Sequence, residues 1–458
     1  MPLQSLCSYL QLLTMPTPSL ILVPARFKTG KLYTPVATTS GGVVLGASGD
    51  FNVTRATTAT RFNSAGRIES VASGIPRLDY YTSGGTAGCP ALLVEPSAAN
   101  GILNSQDTAT SWLLGANLTS GYTDVIGVSG NNLTVAVSGS GIGSAAGRLA
   151  RFGNNVALAS GSTYTISFLI KKTGTHTIGS YFGLITGAAS GEIGAGFNVS
   201  GSFSSGSIFN TAGVTSRIRR VERFGTDVFR CSETFTMTAS GTLTAFILGP
   251  TVSTTSDANS AVGTQIAFAA PQIELGAIPT SFIPTTTAAV TRNADVISVT
   301  GAVSGCIGQT EGTIYAEVDY RNLGAAVSII TLQTASYTIG AVRVDTNTLN
   351  QIRVQIRDAL GSGRLDATFT DTSLSTGINK IAVGYSSNAS GVVFALNGSI
   401  VATTTVGASF GTLGANRVYL GTRETSASND LFFNNRIRAA ALYTTRLTNA
   451  ELAALTTP

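Results

Sequence analysis

An enzyme needs groups that titrate or attack, and few stand out in this chain. It has one histidine, His176, in the polar turn "KKTGTHTIG". Spacing supplies no partner for a metal site or a Ser-His-Asp set there, so a loop histidine is the plainer reading. The 23 acidic residues include carboxylates of the type that cleave polysaccharide in pairs, but no two fall in a recognisable constellation. Glu317 and Asp319 share one strand face and are expected to face solvent. The glycine-rich stretches lack the GK[ST] of a phosphate loop and do not lie between a strand and an amphipathic helix. Cys7, Cys89, Cys231 and Cys306 are far apart with no CxxC, as free thiols are in a protein made in reducing cytosol. These residues read as those of a non-enzymatic protein with no cofactor.

Binding chemistry is better supplied. Asp and Asn on the loops "TSDAN" (255–259), "DTNTLN" (345–350) and "SASNDLFFNN" (426–435) offer oxygens for structural calcium, and ordinary turns use the same residues. Sugar contact needs aromatic faces beside polar groups. Trp112, Tyr122, Tyr181, Tyr385 and Phe432 are the candidates, each with the alternative of a place in the core. A third set is ionic. Arg55 and Arg61 share a strand face with Arg77 close behind, and Asp79 and Glu95 can accept charge-assisted hydrogen bonds from them. The alternative is that these arginines are solvated.

The elements that position these groups read as strands. Charged residues make up 11% of the chain, against about 25% in ordinary soluble domains. The 52 glycines with abundant Thr and Val suit short strands and tight turns. The fold class expected is all-β: an N-terminal arm and β-ribbon, two antiparallel β-sandwich (jelly-roll-like) domains, and one short C-terminal helix. The net charge of +5 is thinly spread. Its densest cluster, Arg217, Arg219, Arg220 and Arg223, reads as a solvated strand face and not as a nucleic-acid surface, which needs a basic stripe. No apolar run of about 18 residues exists to span a membrane. The opening residues lack a signal-peptide pattern, and Met15 is an alternative start to Met1.

The expected organisation has five parts. Residues 1–50 form an arm containing the apolar Leu20-Ile21-Leu22-Val23. Residues 51–104 form a ribbon of about four strands, with "NSAG" at 63–66 as its first turn. Large apolar residues are few there, so the ribbon must lean on a neighbour or a second copy. Residues 105–284 form the first sandwich, in which Tyr164, Ile166, Phe168 and Ile170 share a buried face, as do Phe229, Cys231 and Phe235. Residues 285–300 are a linker. Residues 301–458 form the second sandwich, with a hairpin tip at Asn397-Gly398 and a helix opened by the Thr448/Glu451 capping box.

"FNVTRATTATRFNSAGRIESVASGIPRLDYY…CPALLVEPSAANGILNSQD" resembles a segment recurrent in tailed-bacteriophage structural proteins of the head-spike, head-fibre and tail-fibre type. The shared elements are Arg55 to Thr60, Asn63 to Ile68, Pro76 to Asp79, Leu92 to Glu95 and Asn100 to Ser105. Family members often carry Arg-Thr-Asn where this chain has "SAAN". "APQIELGAIPTSFIPTTTAAVTRNADV" is similar to the closing stretch of the carbohydrate-binding-module-like jelly roll that follows in such proteins. "VVFALNGSIVA" and "FNNRIRAAALYTTRLTNAELAAL" look like concanavalin A/laminin-G-like sandwiches. The resemblance implies a virion component, usually oligomeric, with a trimer favoured. Its expected partners are other tail, baseplate or capsid proteins and host-surface polysaccharide. A tail fibre or adhesin attached by its arm is the first expectation, a capsid head-fibre or decoration protein the second, and a depolymerase the third.

Overall fold

The structure, a computed structural model, describes residues 16–34, 36–37, 49–80, 89–107, 113–114, 118–122, 133–137, 149–173, 180–186, 192–197, 208–209, 213–223, 228–249, 265–321, 323–388, 391–426 and 428–458. They form two antiparallel β-sandwiches and a short helix, Asn449–Leu455. No helix among them is long and apolar enough to cross a membrane.

The first sandwich stacks two six-stranded sheets. Thr163–Thr173 lies inside one of them, between Val228–Met237 and Gln265–Leu275. Alternation sends Tyr164, Ile166, Phe168 and Ile170 into the core with Phe229, Cys231 and Phe235, as their spacing predicts. Arg219 and Arg220 are half-buried on the edge strand Val214–Arg223. Arg220 Nη1 reaches Thr234 Oγ1 at 3.3 Å, so that strand face is not simply solvated.

The second sandwich has two nine-stranded sheets, and the first hundred residues of the chain help to build both. In one sheet, Leu20–Leu22 lies between Asn435–Tyr443 and Val36–Ala37, while Ala91–Val94 pairs with the start of Asn435–Tyr443. In the other, Phe51–Thr54 pairs with Val296–Thr300. Leu20, Leu22, Phe51, Val53, Leu92 and Val94 are all buried in its core. This corrects the expected division. Over Ser19–Leu32 the supposed arm is woven into the C-terminal sandwich, the ribbon is not a separate four-stranded unit, and 285–300 is not a free linker. Each apolar stretch is too short to bury itself, and each is buried by completing a sheet begun elsewhere. Among the described residues of 51–104, Ala59–Phe62 and Ile68–Val71 form a ribbon of their own. Gly66 takes φ 71° at its turn, the left-handed region glycine adopts without strain.

Local signals elsewhere hold. Asn397 and Gly398 (φ 46° and 88°) turn the chain between Val392–Leu396 and Ser399–Thr404. Thr448 and Glu451 form a reciprocal capping box, and Leu452 and Leu455 bury the helix against a sheet.

Candidate functional site

Two polar centres stand out. The first is a charge junction where the hairpin, the first sandwich and the second sandwich meet. Arg55, leaving strand Phe51–Thr54, donates to the carbonyls of Thr57, Ile75 and Ala72 and pairs with Asp295 at 2.9 Å. Arg77 pairs with Glu95 at 2.7 Å and with both oxygens of Asp295. It also donates to Ser281 Oγ at 2.6 Å, and that hydroxyl donates to Glu95. Arg292 stands 3.4 Å from Glu95 and 3.9 Å from Asp295. All five charged side chains are within 1% of full burial. Burial works to raise the Glu95 carboxyl, but Arg77, then Arg292 and the Ser281 hydroxyl, hold it well below the usual carboxylate range. Burial depresses the guanidiniums of Arg55 and Arg292, against the pull of the carboxylates.

Beside this junction Asn100, fully buried, spends its whole amide. Nδ2 donates to Ile283 O, Pro271 O and Ser105 Oγ, and Oδ1 accepts from the Ile102 and Ile273 N–H groups. Asp79 takes the Phe62 N–H at 2.7 Å and faces Arg436 at 3.2 Å, and Arg436 also meets Asp319. Of the sequence expectations, Arg77–Glu95 is realised. Arg55 instead finds Asp295, 240 positions away, and Arg61 pairs with Glu69 across its own hairpin. Glu317 and Asp319 do not face solvent freely: Glu317 is buried against Arg438, and Asp319 is mostly buried against Arg436. Every carboxylate of these pairs is engaged by an arginine. Their effect is to hold orientation.

The second centre lies on the outer face of the second sandwich. In Ala341–Thr346, Val342 and Val344 point to the core while Arg343 and Asp345 point away; Gln351–Arg357 repeats the pattern with Arg353 and Gln355 outward. A loop carries Tyr337 over them. Its ring has the Arg343 guanidinium 4.5 Å from its centroid and that of Arg423 at 4.0 Å, a geometry of cation–π attraction. Arg353 and Asp366 form a bidentate pair at 2.7 and 2.6 Å at the open rim. Beneath Tyr337, Arg343, Asp345 and Gln355 are each at least 95% buried. Arg343 Nη2 stands 3.7 Å from Asp345 Oδ2, yet among the described residues Arg343 Nε and Nη1, both Asp345 carboxylate oxygens and Gln355 Oε1 have no hydrogen-bond partner. Burial pushes the Asp345 carboxyl up, opposed by Arg343 beside it. Unmet donors next to unmet acceptors match hydroxyl groups or water, which give and accept together.

The aromatic candidates fare differently. Tyr385 is a core residue, 1% exposed, whose hydroxyl donates to Gly308 O at 2.7 Å; it touches no ligand surface, because its strand lies in the middle of a sheet. Phe432 is half-buried. Tyr122 and Tyr181 lie in strands Leu118–Tyr122 and Ser180–Thr186, but their side chains, like Trp112, His176 and the loop 255–259, lie outside the described residues. In the other two calcium candidates, Asn347 Oδ1 accepts from the Leu349 and Gln351 N–H groups and Asp430 pairs with Arg423, while Asp345 of the first loop is the buried carboxylate described above. Tyr337 and Asp295 were not singled out from sequence. Only the alternating charge of "VRVDT" and "QIRVQIRD" marks that outer face.

Together these features define a two-sandwich β-protein with a buried polar joint and a polar outer face. No protein-family model and no curated protein matches the chain. Among solved structures it is similar to the CBM40 of a Ruminococcus gnavus IT-sialidase bound to α2,3 sialyllactose, at 16% identity and TM-score 0.31, over 34% of this chain and 87% of that one. It is also similar to the NanB sialidase of Streptococcus pneumoniae, at 14% identity and TM-score 0.30, over 34% of this chain and 26% of that one. A heptameric SAP-like pentraxin of Limulus polyphemus follows, at 11% identity and TM-score 0.26, over 32% and 69%. Likenesses this weak carry no argument about a ligand, and the sandwich architecture rests on the sheet pairings themselves.

Proposed function

We propose that the protein is a non-enzymatic surface component of a tailed-bacteriophage virion that contacts host-surface glycan through the outer face around Tyr337. The observation that carries the glycan reading is the set of unmet polar atoms on Arg343, Asp345 and Gln355 under an aromatic ring. Sugar hydroxyls, which like water donate and accept together, satisfy such a mixed set. The phage reading rests on the sequence resemblance, and the geometry supports a mechanical role for the resembling segment. Arg55, Arg77, Glu95, Asn100 and Ser105 all lie in it, and all are buried at the joint. A joint of this kind keeps two sandwiches in one orientation, and repeated copies on a particle then convert weak contacts into avidity.

The test has two arms. Antibody labelling of intact particles reports whether the protein is in the virion and whether it sits on head or tail; absence from purified particles ends the phage reading. Retention of the purified protein on host-envelope polysaccharide, compared with Tyr337→Ala, reports the glycan reading. Equal retention of the two proteins, or none by either, removes that face from consideration.

A further inference from the structure

The unmet polar atoms of Arg343, Asp345 and Gln355 are closed to solvent in this structure. Their residues are 3%, 2% and 4% exposed, and the partnerless atoms themselves are buried, so a ligand meets them only after something moves. Arg423 is held in place by Asp430, at 2.6 and 2.9 Å. The ring of Tyr337, 4.5 Å from the Arg343 guanidinium and 4.0 Å from that of Arg423, is the looser part of the cover. Its turn, residues 334–340, joins strand Val327–Gln333 to strand Ala341–Thr346. The hydrogen bond that ties the middle of this turn to the sandwich runs from Tyr337 N–H to Glu424 O at 3.2 Å. Other bonds lie within the turn and travel with it: Thr334 Oγ1 to Ile339 O, Ser336 to Thr338 through their hydroxyls, and Ile339 N–H to Ser336 O. Ala335, Thr338 and Ile339 are exposed, and residues 334–339 stand outside the apolar core. A segment with so few buried apolar contacts opens at far less cost than the whole domain. Gly340, at φ 53° and anchored through its N–H to Asp358 O at 2.7 Å, gives it a fixed pivot.

We propose that Tyr337 is a lid on this site: the turn swings about Thr334 and Gly340, lifts the ring off Arg343 and Arg423, and closes again over the bound sugar. The identity of the ligand rests on the glycan reading above; the motion does not. With the lid up, Arg343 offers N–H groups, and Asp345 and Gln355 offer oxygens, to sugar hydroxyls. With it down, the ring keeps water out and slows the sugar's departure, so Tyr337→Ala loses retention although it uncovers the site. Two guanidiniums under one ring favour the closed state, and the scarcity of other fastenings keeps the open state within reach.

The test uses the full chain and no ligand. Hydrogen exchange is followed by mass spectrometry at rising urea below the unfolding transition. The amides of residues 335–339, with the one bonded to Glu424 O among them, are expected to exchange with little urea dependence and about a hundredfold or more faster than those of Ala341–Thr346. Phenylglyoxal is expected to label Arg343 in the native wild type, and about tenfold or more faster in Tyr337→Ala, with Arg438 on the opposite sheet unchanged as the control. If that variant fails to fold, the exchange result decides alone. Amides of 335–339 that exchange only by global unfolding, an Arg343 that native wild type never labels, or equal labelling rates in the two proteins overturns the lid. Neither measurement involves a glycan, so failure of the retention assay and failure of the lid are read separately.

Discussion

Asp295→Asn is the substitution that strains the joint most, because of how its charges are counted. Asp295 meets Arg55 at 2.9 Å, Arg77 through both oxygens and Arg292 at 3.9 Å, and it accepts the Glu95 N–H at 3.1 Å. Three guanidiniums already face two carboxylates. Removing one carboxylate leaves three cations around Glu95 alone, in a place with almost no access to water. Breaking a buried pair from one side costs about 3–5 kcal/mol, which is about two to four powers of ten in the folding equilibrium. Arg292→Met shifts the count the other way, toward neutrality. Arg292 makes the longest ion contacts, its Nε has no partner, and its firm bonds are to Pro96 O and Asn293 O. Its loss is expected to cost about 1–2 kcal/mol, the value of those hydrogen bonds. Urea unfolding followed by circular dichroism, with an unchanged m-value, reads both. If Asp295→Asn lies within about 1 kcal/mol of wild type, or is milder than Arg292→Met, charge balance does not govern the joint.

Three further outcomes are expected. The Glu95 carboxyl is depressed in the folded state, so its stabilisation is present above its ordinary value of 4.5 and is lost as pH falls below that toward the folded value; Glu95→Gln should flatten the acid limb of a stability–pH curve. Gly340, at φ 53°, leads from the Tyr337 loop into strand Ala341–Thr346, and a Cβ there would collide with the Leu413 carbonyl oxygen. Gly340→Ala should therefore cost about 1–3 kcal/mol in chemical unfolding and displace the Tyr337 loop. Thr448→Ala removes the helix cap and should cost about 1 kcal/mol, seen as a lower urea midpoint.

What could be read from the sequence were features settled by neighbours in the chain. Gly66 and Asn397-Gly398 turn because of backbone conformations they adopt more readily than most residues. Tyr164, Ile166, Phe168 and Ile170 share a face because strand side chains alternate. Thr448 and Glu451 cap because they stand three apart. Arg77 and Glu95 were within reach as a pair because one short hairpin-rich segment carries both. Tyr337 was less legible, because a loop residue gains meaning only from the strands beneath it.

The amino-acid order by itself determined the all-β class, the turns, the capped helix and the inward faces of the strands, since these depend on conformational preference and alternation over a few residues. Tertiary structure alone decided that Leu20–Leu22 is an inner strand of the C-terminal sandwich, that Tyr385 is core, and that Arg55 meets Asp295. The first and last join residues hundreds of positions apart and Tyr385 reaches Gly308 77 positions away, and all form because isolated apolar strands and buried charges are stable only with partners that no local pattern specifies.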